Sequence, residues 1–251
     1  MNGNDSVFGG AMFIPPGARK RVHVLEQRVP MEQQCEYFKF SAQVKREAKN
    51  MKEFDCDFYV SALESPDISV ERKKHILSLL AHSNQAKAYR IIENFARNPD
   101  NSLANWAYMA LMECRIVLES DILGEQQIFV STGLGGKDDK LRYYAFVMSS
   151  KKTPFLDYER RTIMNEFEYQ FFGSNCDIER LTIEDYFVEL VFLSPMGKEM
   201  MDVFRKSINE CNVFGNFLSE VVTITNIKEL NHKEINGIIK TITAALKTKT
   251  K

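Results

Sequence analysis

No stretch of the 251 residues approaches the run of about 18 apolar side chains that a membrane-spanning helix needs. The start, Met1–Phe13, lacks both the basic segment and the continuous apolar core of a secretory signal. These two absences lead us to expect a cytoplasmic chain with no membrane partner. Cysteine is sparse and dispersed: Cys35, Cys56, Cys114, Cys176 and Cys211 form an odd set with no close pair, which fits a reducing compartment. Neither they nor His23, His75, His82 and His232 form the closely spaced ligand pairs of a zinc site, so no metal and no cofactor is expected. Neither sign of charge dominates. Lys and Arg number 33 against 34 Asp and Glu, for a formal charge of -1, and a protein that coats DNA through a global basic excess is excluded.

The usual catalytic patterns are missing as well. Ser131-Thr132-Gly133 and Ser194-Pro195-Met196 do not make the Gly-x-Ser-x-Gly elbow. Cys114 and Cys211 fall within apolar helical stripes and read as packing residues. Asp157 and Glu166 fall on similar but not superposed sectors of a helix, Glu159, Glu166 and Glu168 are expected on its wet side, and Glu184-Asp185 at a surface or cap. Whether the chain is an enzyme is left open by this inventory.

What is present is a change of hydrophobic period along the chain. Residues 1–30 read as a flexible N-terminal tail, broken by Gly3, Gly9, Gly10, Gly17 and Pro15-Pro16, with an apolar island at Phe8, Met12, Phe13 and Ile14 and the basic run Arg19-Lys20-Arg21. Residues 31–122 read as a helical segment. Tyr37, Phe38, Phe40 and Val44 form one apolar side; a helix capped by Ser69 follows, then one over Gln85–Ala96 and one from Ser102 to about Glu119. The last carries a stripe of Leu103, Trp106, Ala107, Ala110, Cys114 and Val117, which includes the only tryptophan.

Residues 123–251 read as an α/β domain with a basic C-terminal tail, in which the period falls to two. Gln127–Ser131 and Leu141–Met148 are strand candidates, expected to pair as a hairpin across the glycine-rich link Thr132–Lys140. A helix over Phe155–Phe172 is followed by a single long strand candidate over 178–193, and a helix within Met196–Phe217 by a strand at Val221–Thr225. A final helix is capped by Asn231 and Glu234. The run from Tyr186 to Thr225 would favour parallel pairing if both strands share a sheet. The expected fold class is α+β: about three to five N-terminal helices, then a small mixed or antiparallel sheet with helices mainly on one face.

Candidate binding residues lie in the glycine-rich link. Successive amides at Gly133, Gly135 and Gly136 can form an anion nest, with Lys137, Lys140 and Arg142 as cationic partners, although the spacing is not that of a Walker loop. Arg142, Tyr144 and Phe146 share one strand parity and could form an RNA-stacking face. Residues 1–50 hold 8 basic and 5 acidic groups and residues 226–251 hold 6 and 2, so basic ends flank a middle of charge -8. The expectation is a cytoplasmic protein-interaction or regulatory protein that uses a helical surface and an α/β module, with another protein as partner. Two alternatives go with it: an enzyme or binding protein for an anionic, phosphate-containing small molecule held by the 133–142 loop, and an RNA-binding protein.

Overall fold

The computed structural model describes residues 21–50, 55–125, 127–151 and 153–249, the last eight for their backbone only. The apolar island at Phe8–Ile14 and Arg19-Lys20 lie outside the described residues. In chain order the elements are β1 (Arg21–Val24), α1 (Met31–Asn50), α2 (Cys56–Glu64), α3 (Val70–His82), α4 (Ala86–Arg97), α5 (Ala104–Leu123), β2 (Gln127–Val130), β3 (Gly136–Lys137), β4 (Lys140–Ser149), α6 (Asp157–Gly173), β5 (Asp177–Ile183), β6 (Phe187–Pro195), α7 (Met200–Val213), β7 (Leu218–Thr225) and α8 (His232–Lys249). A block of helices thus precedes an antiparallel sheet flanked by further helices, an α+β architecture.

The chain divides into two compact units: Met1–His23 with Lys45–Phe129, and Val24–Val44 with Val130–Lys251. It therefore passes from one unit to the other after His23, Val44 and Phe129. The reason lies in the segment from Val24 to Val44, which does not trail from the body. Leu25, Val29 and Tyr37 have no exposed surface, and α1 buries the line Gln34, Tyr37, Ser41 and Val44. Two members of that line are polar, so a hydropathy pattern skips them.

In the helical unit the caps follow the sequence. Asp55 accepts from the Asp57 amide at 3.0 Å, Ser69 Oγ accepts from the Arg72 amide at 3.3 Å, and Gly124 ends α5 in the left-handed conformation. Trp106 is 6 % exposed, and its ring nitrogen donates to the Lys74 carbonyl and the Ser78 hydroxyl at 3.1 and 3.3 Å. Arg21–Val24 and Gln127–Val130 pair with each other as a two-stranded sheet. The expected hairpin between 127–131 and 141–148 is therefore not formed. The strand that turns back onto β4 is β3, closed by Asp138 and Asp139, with Asp138 at φ 55°.

The sheet unit contains β4-α6-β5-β6-α7-β7 in chain order and β7-β4-β6-β5 in space, all neighbours antiparallel. This is the split β-α-β of a ferredoxin-like sheet. The parallel strands β6 and β7 are separated by β4 and so are not hydrogen-bonded to each other. The 178–193 run is two strands, β5 and β6, joined by a tight turn at Glu184–Tyr186 that contains neither Gly nor Pro. One face of the sheet packs Ala145, Val147, Val188, Leu190 and Phe192 against Ile163, Phe167 and Phe171 of α6 and Val203, Phe204 and Ile208 of α7. Each fully buried phenylalanine here contributes about 1.5–3 kcal/mol. The opposite face packs Tyr144, Phe146, Met148, Phe187 and Val191 against Leu134, Leu230 and Ile235, Ile238 and Ile239 of α8.

Candidate functional site

The glycine-rich loop is a seat for the protein's own backbone. Three of its amides are committed: Leu134 N donates to Asn226 O at 3.1 Å, Gly135 N to Thr132 O at 3.1 Å and Gly136 N to Glu26 O at 3.3 Å. A Cβ at Gly133 would lie 1.8 Å from Ile227 O, and one at Gly135, whose φ is +68°, would lie 2.4 Å from Glu26 O. Gln34 bridges the two sides, its side-chain amide donating to Val29 O and Thr132 O at 2.7 and 3.0 Å. Gly133, Gly135 and Gly136 are buried, so they do not form an open anion nest. Glycine is needed because two backbones meet closely, a use that sequence alone does not separate from phosphate cradling.

The loop's cations are engaged in the same way. Lys140 Nζ lies 2.7 Å from Asp177, and Arg142 grips both oxygens of Glu179 at 2.5 and 2.8 Å while donating to Leu134 O at 2.9 Å. Lys137 alone of the three is exposed. A bulge in β5 between Ile178 and Arg180 explains how consecutive charged residues serve one face. Glu179 meets Arg142, and Arg180 meets Glu229 at 2.5 Å, where Arg28 also arrives at 2.5 Å. The hydrogen bond from Arg142 holds the Glu179 carboxyl below its ordinary value. For Glu229 burial works upward, but the hydrogen bonds from Arg180 and Arg28 outweigh it and the net shift is down.

The expected RNA-stacking face does bring Arg142, Tyr144 and Phe146 to one side of the sheet, and that side is covered. Tyr144 and Phe146 are each 1 % exposed, and the Tyr144 hydroxyl donates to Glu189 at 2.5 Å. Burial followed by that hydrogen bond pushes the Tyr144 phenol far up, so it stays protonated. Cys114 and Cys211 are likewise unreactive, since burial above all pushes each thiol up to about 12. Among the described residues no group of three His, Cys, Asp or Glu side chains is placed to hold a metal.

The open site lies at residues that carry no recognisable motif. Strand β5 pairs only with β6 among the described strands, so its outer side is a sheet edge. Beside it runs a shallow groove of about 830 Å³ between β5 and α6, where the apolar Met164, Tyr169, Phe172, Ile178 and Leu181 are mixed with the polar Asn165, Glu168, Asp177, Glu179 and Arg180. Ile163, Phe167 and Phe171 take the inward face of α6 and are fully buried, which leaves Tyr169 at 74 % and Phe172 at 86 % exposure on the groove side. The signal available in the sequence was that α6 carries aromatic residues on both of its faces. One end of the edge is closed by Arg160, whose Nη1 donates to Ile183 O at 2.7 Å. Among the described residues no helix is long and apolar enough to cross a membrane.

No family model matches the chain, and no curated protein matches it. Two solved structures are similar in part. One is a presumed transposase from Deinococcus radiodurans, 12 % identical over 41 % of this chain and 90 % of that one, with a TM-score of 0.36. The other is a REP-associated tyrosine transposase bound to a REP hairpin, 10 % identical over 38 % of this chain and 60 % of that one, with a TM-score of 0.31. Similarity at these scores carries neither a fold nor a function to this chain.

Proposed function

We propose that the protein is an interaction module that takes an extended segment of another protein as an added strand on β5. The observation that carries this reading is the conjunction of the β5 edge with the groove of mixed polar and apolar lining along α6. An edge strand offers unpaired backbone N–H and C=O groups that an incoming strand satisfies, and a side groove selects alternate side chains of that strand. The exposed Tyr169 and Phe172 supply the aromatic surface that protein interfaces favour over charged surface. The cytoplasm is the proposed location, on the dispersed cysteines.

The test is selection of displayed random nonapeptides on the immobilised full chain, with a nucleotide and sugar-phosphate panel and a random RNA pool as parallel arms. The expected result is peptide binding that is lost when alternate peptide amides are N-methylated and weakened by Phe172→Ala or Tyr169→Ala. Binding indifferent to N-methylation would overturn strand addition. Binding of a phosphate compound or RNA without any peptide would favour one of the two alternative functions instead.

A further inference from the structure

We propose that the strand received by β5 carries an arginine or lysine facing α6, and that its cation pairs with Glu168. This deepens the interaction reading above and rests on it. The carboxylates and cations around the groove are not equivalent. Asp177 is taken by Lys140, Glu179 by Arg142, and Arg180 by Glu229. Glu168 is exposed and has no ion-pair partner among the described residues.

Its surroundings define the complement. Met164, Glu168 and Phe172 follow one another at intervals of four on α6 and so lie along one line of the helix, with Tyr169 adjacent. A carboxylate flanked by a thioether and two exposed rings fits a side chain with an aliphatic stem and a cationic head. The stem covers the apolar surface while the head stays at the wet rim. Arginine suits it better than lysine, because a guanidinium stacks on an aromatic face while still presenting N–H groups to a carboxylate. An acidic side chain at that place would meet like charge, and a purely apolar one would strip water from Glu168 without replacing its hydrogen bonds. The partner is thus an extended segment that carries one basic residue at the position facing Glu168.

The experiment uses the nonapeptides selected on the full chain, measured by calorimetry against the wild type, Glu168→Gln and Glu168→Lys. Thermal unfolding confirms that each variant folds, as expected for a change at an exposed helix position. The proposal expects one groove-facing position to be enriched in Arg or Lys. It also expects affinity to fall about tenfold with Glu168→Lys and less with Glu168→Gln. A peptide with that position changed to Glu should bind Glu168→Lys better than it binds the wild type. Peptides that need their backbone amides but show no basic enrichment and ignore Glu168→Lys would overturn this inference while leaving strand addition standing. Peptides that do not need their backbone amides would remove the strand-addition reading, and this inference with it.

Discussion

Arg142 reaches across β6 to hold Glu179 with two nitrogens at 2.5 and 2.8 Å, and its third nitrogen holds the Leu134 carbonyl at 2.9 Å. Only 13 % of the Arg142 side chain is exposed. Arg142→Glu therefore places two carboxylates together in a half-buried site and strips a loop carbonyl of its donor. The expected loss is about 2–4 kcal/mol in denaturant unfolding, near the cost of breaking a buried pair and reduced for partial exposure. Lys137→Glu, at an exposed position of the same loop, should change stability by less than about 0.5 kcal/mol.

Acid should attack the same network. Glu179 and Glu229 both have carboxyls held below the ordinary value of 4.5, Glu179 by its Arg142 hydrogen bond and Glu229 by Arg180 and Arg28 against the opposing effect of burial. A depressed folded value means that the stabilisation is complete above the unfolded value and is lost as pH falls through the folded one. Denaturant unfolding of the wild type and the Glu179→Gln, Glu229→Gln double variant should show the wild type more stable near pH 7, with the gap closing as pH is lowered below about 4. A gap independent of pH would contradict these ion pairs.

The glycines should separate sharply. Gly133→Ala puts a methyl group against Ile227 O and should cost several kcal/mol, on the order of 3 or more, because the obstacle is backbone. Gly237→Ala, in α8 with nothing within 4 Å of the new methyl, should instead stabilise by up to about 1 kcal/mol through helix propensity. Thermal unfolding of the two variants checks both signs.

Trp106→Ala should cost about 3–5 kcal/mol, since it removes a ring that is 6 % exposed, its two hydrogen bonds and the Lys74 ammonium stacked 4.6 Å from the ring centroid. Trp106→Phe should cost less, keeping most of the packing and losing the N–H donor. Intrinsic fluorescence with denaturant unfolding measures the wild type, and circular dichroism measures the variants.

The sequence carried the helices well, because Ile163, Phe167 and Phe171 on α6 and Val203, Phe204 and Ile208 on α7 recur at helical spacing and all face the sheet. It also carried the Ser69 cap, whose signal is local. The β5–β6 turn was hidden because Glu184-Asp185-Tyr186 lacks the Gly or Pro that usually marks a reversal. Pairing partners were hidden for a different reason: β2 and β4 lie close in sequence, yet β2 pairs with β1 and β4 with β3, β6 and β7. The contacts of the glycine-rich loop were hidden at the same level. Gly133, Lys140 and Arg142 have the composition of an anion loop, but in the fold they meet Ile227, Asp177 and Glu179, and all three are remote in sequence. The α6 groove left only the trace of Tyr169 and Phe172 lying off the buried stripe.

Amide hydrogen exchange of the full chain, followed by NMR with and without a selected nonapeptide, tests strand addition at β5 most directly. The account predicts slowed exchange at alternate amides within Asp177–Ile183, with chemical-shift changes along the Met164–Phe172 side of α6. Protection confined to residues 132–137, or to the helices between residues 56 and 123, with β5 unchanged, would contradict it.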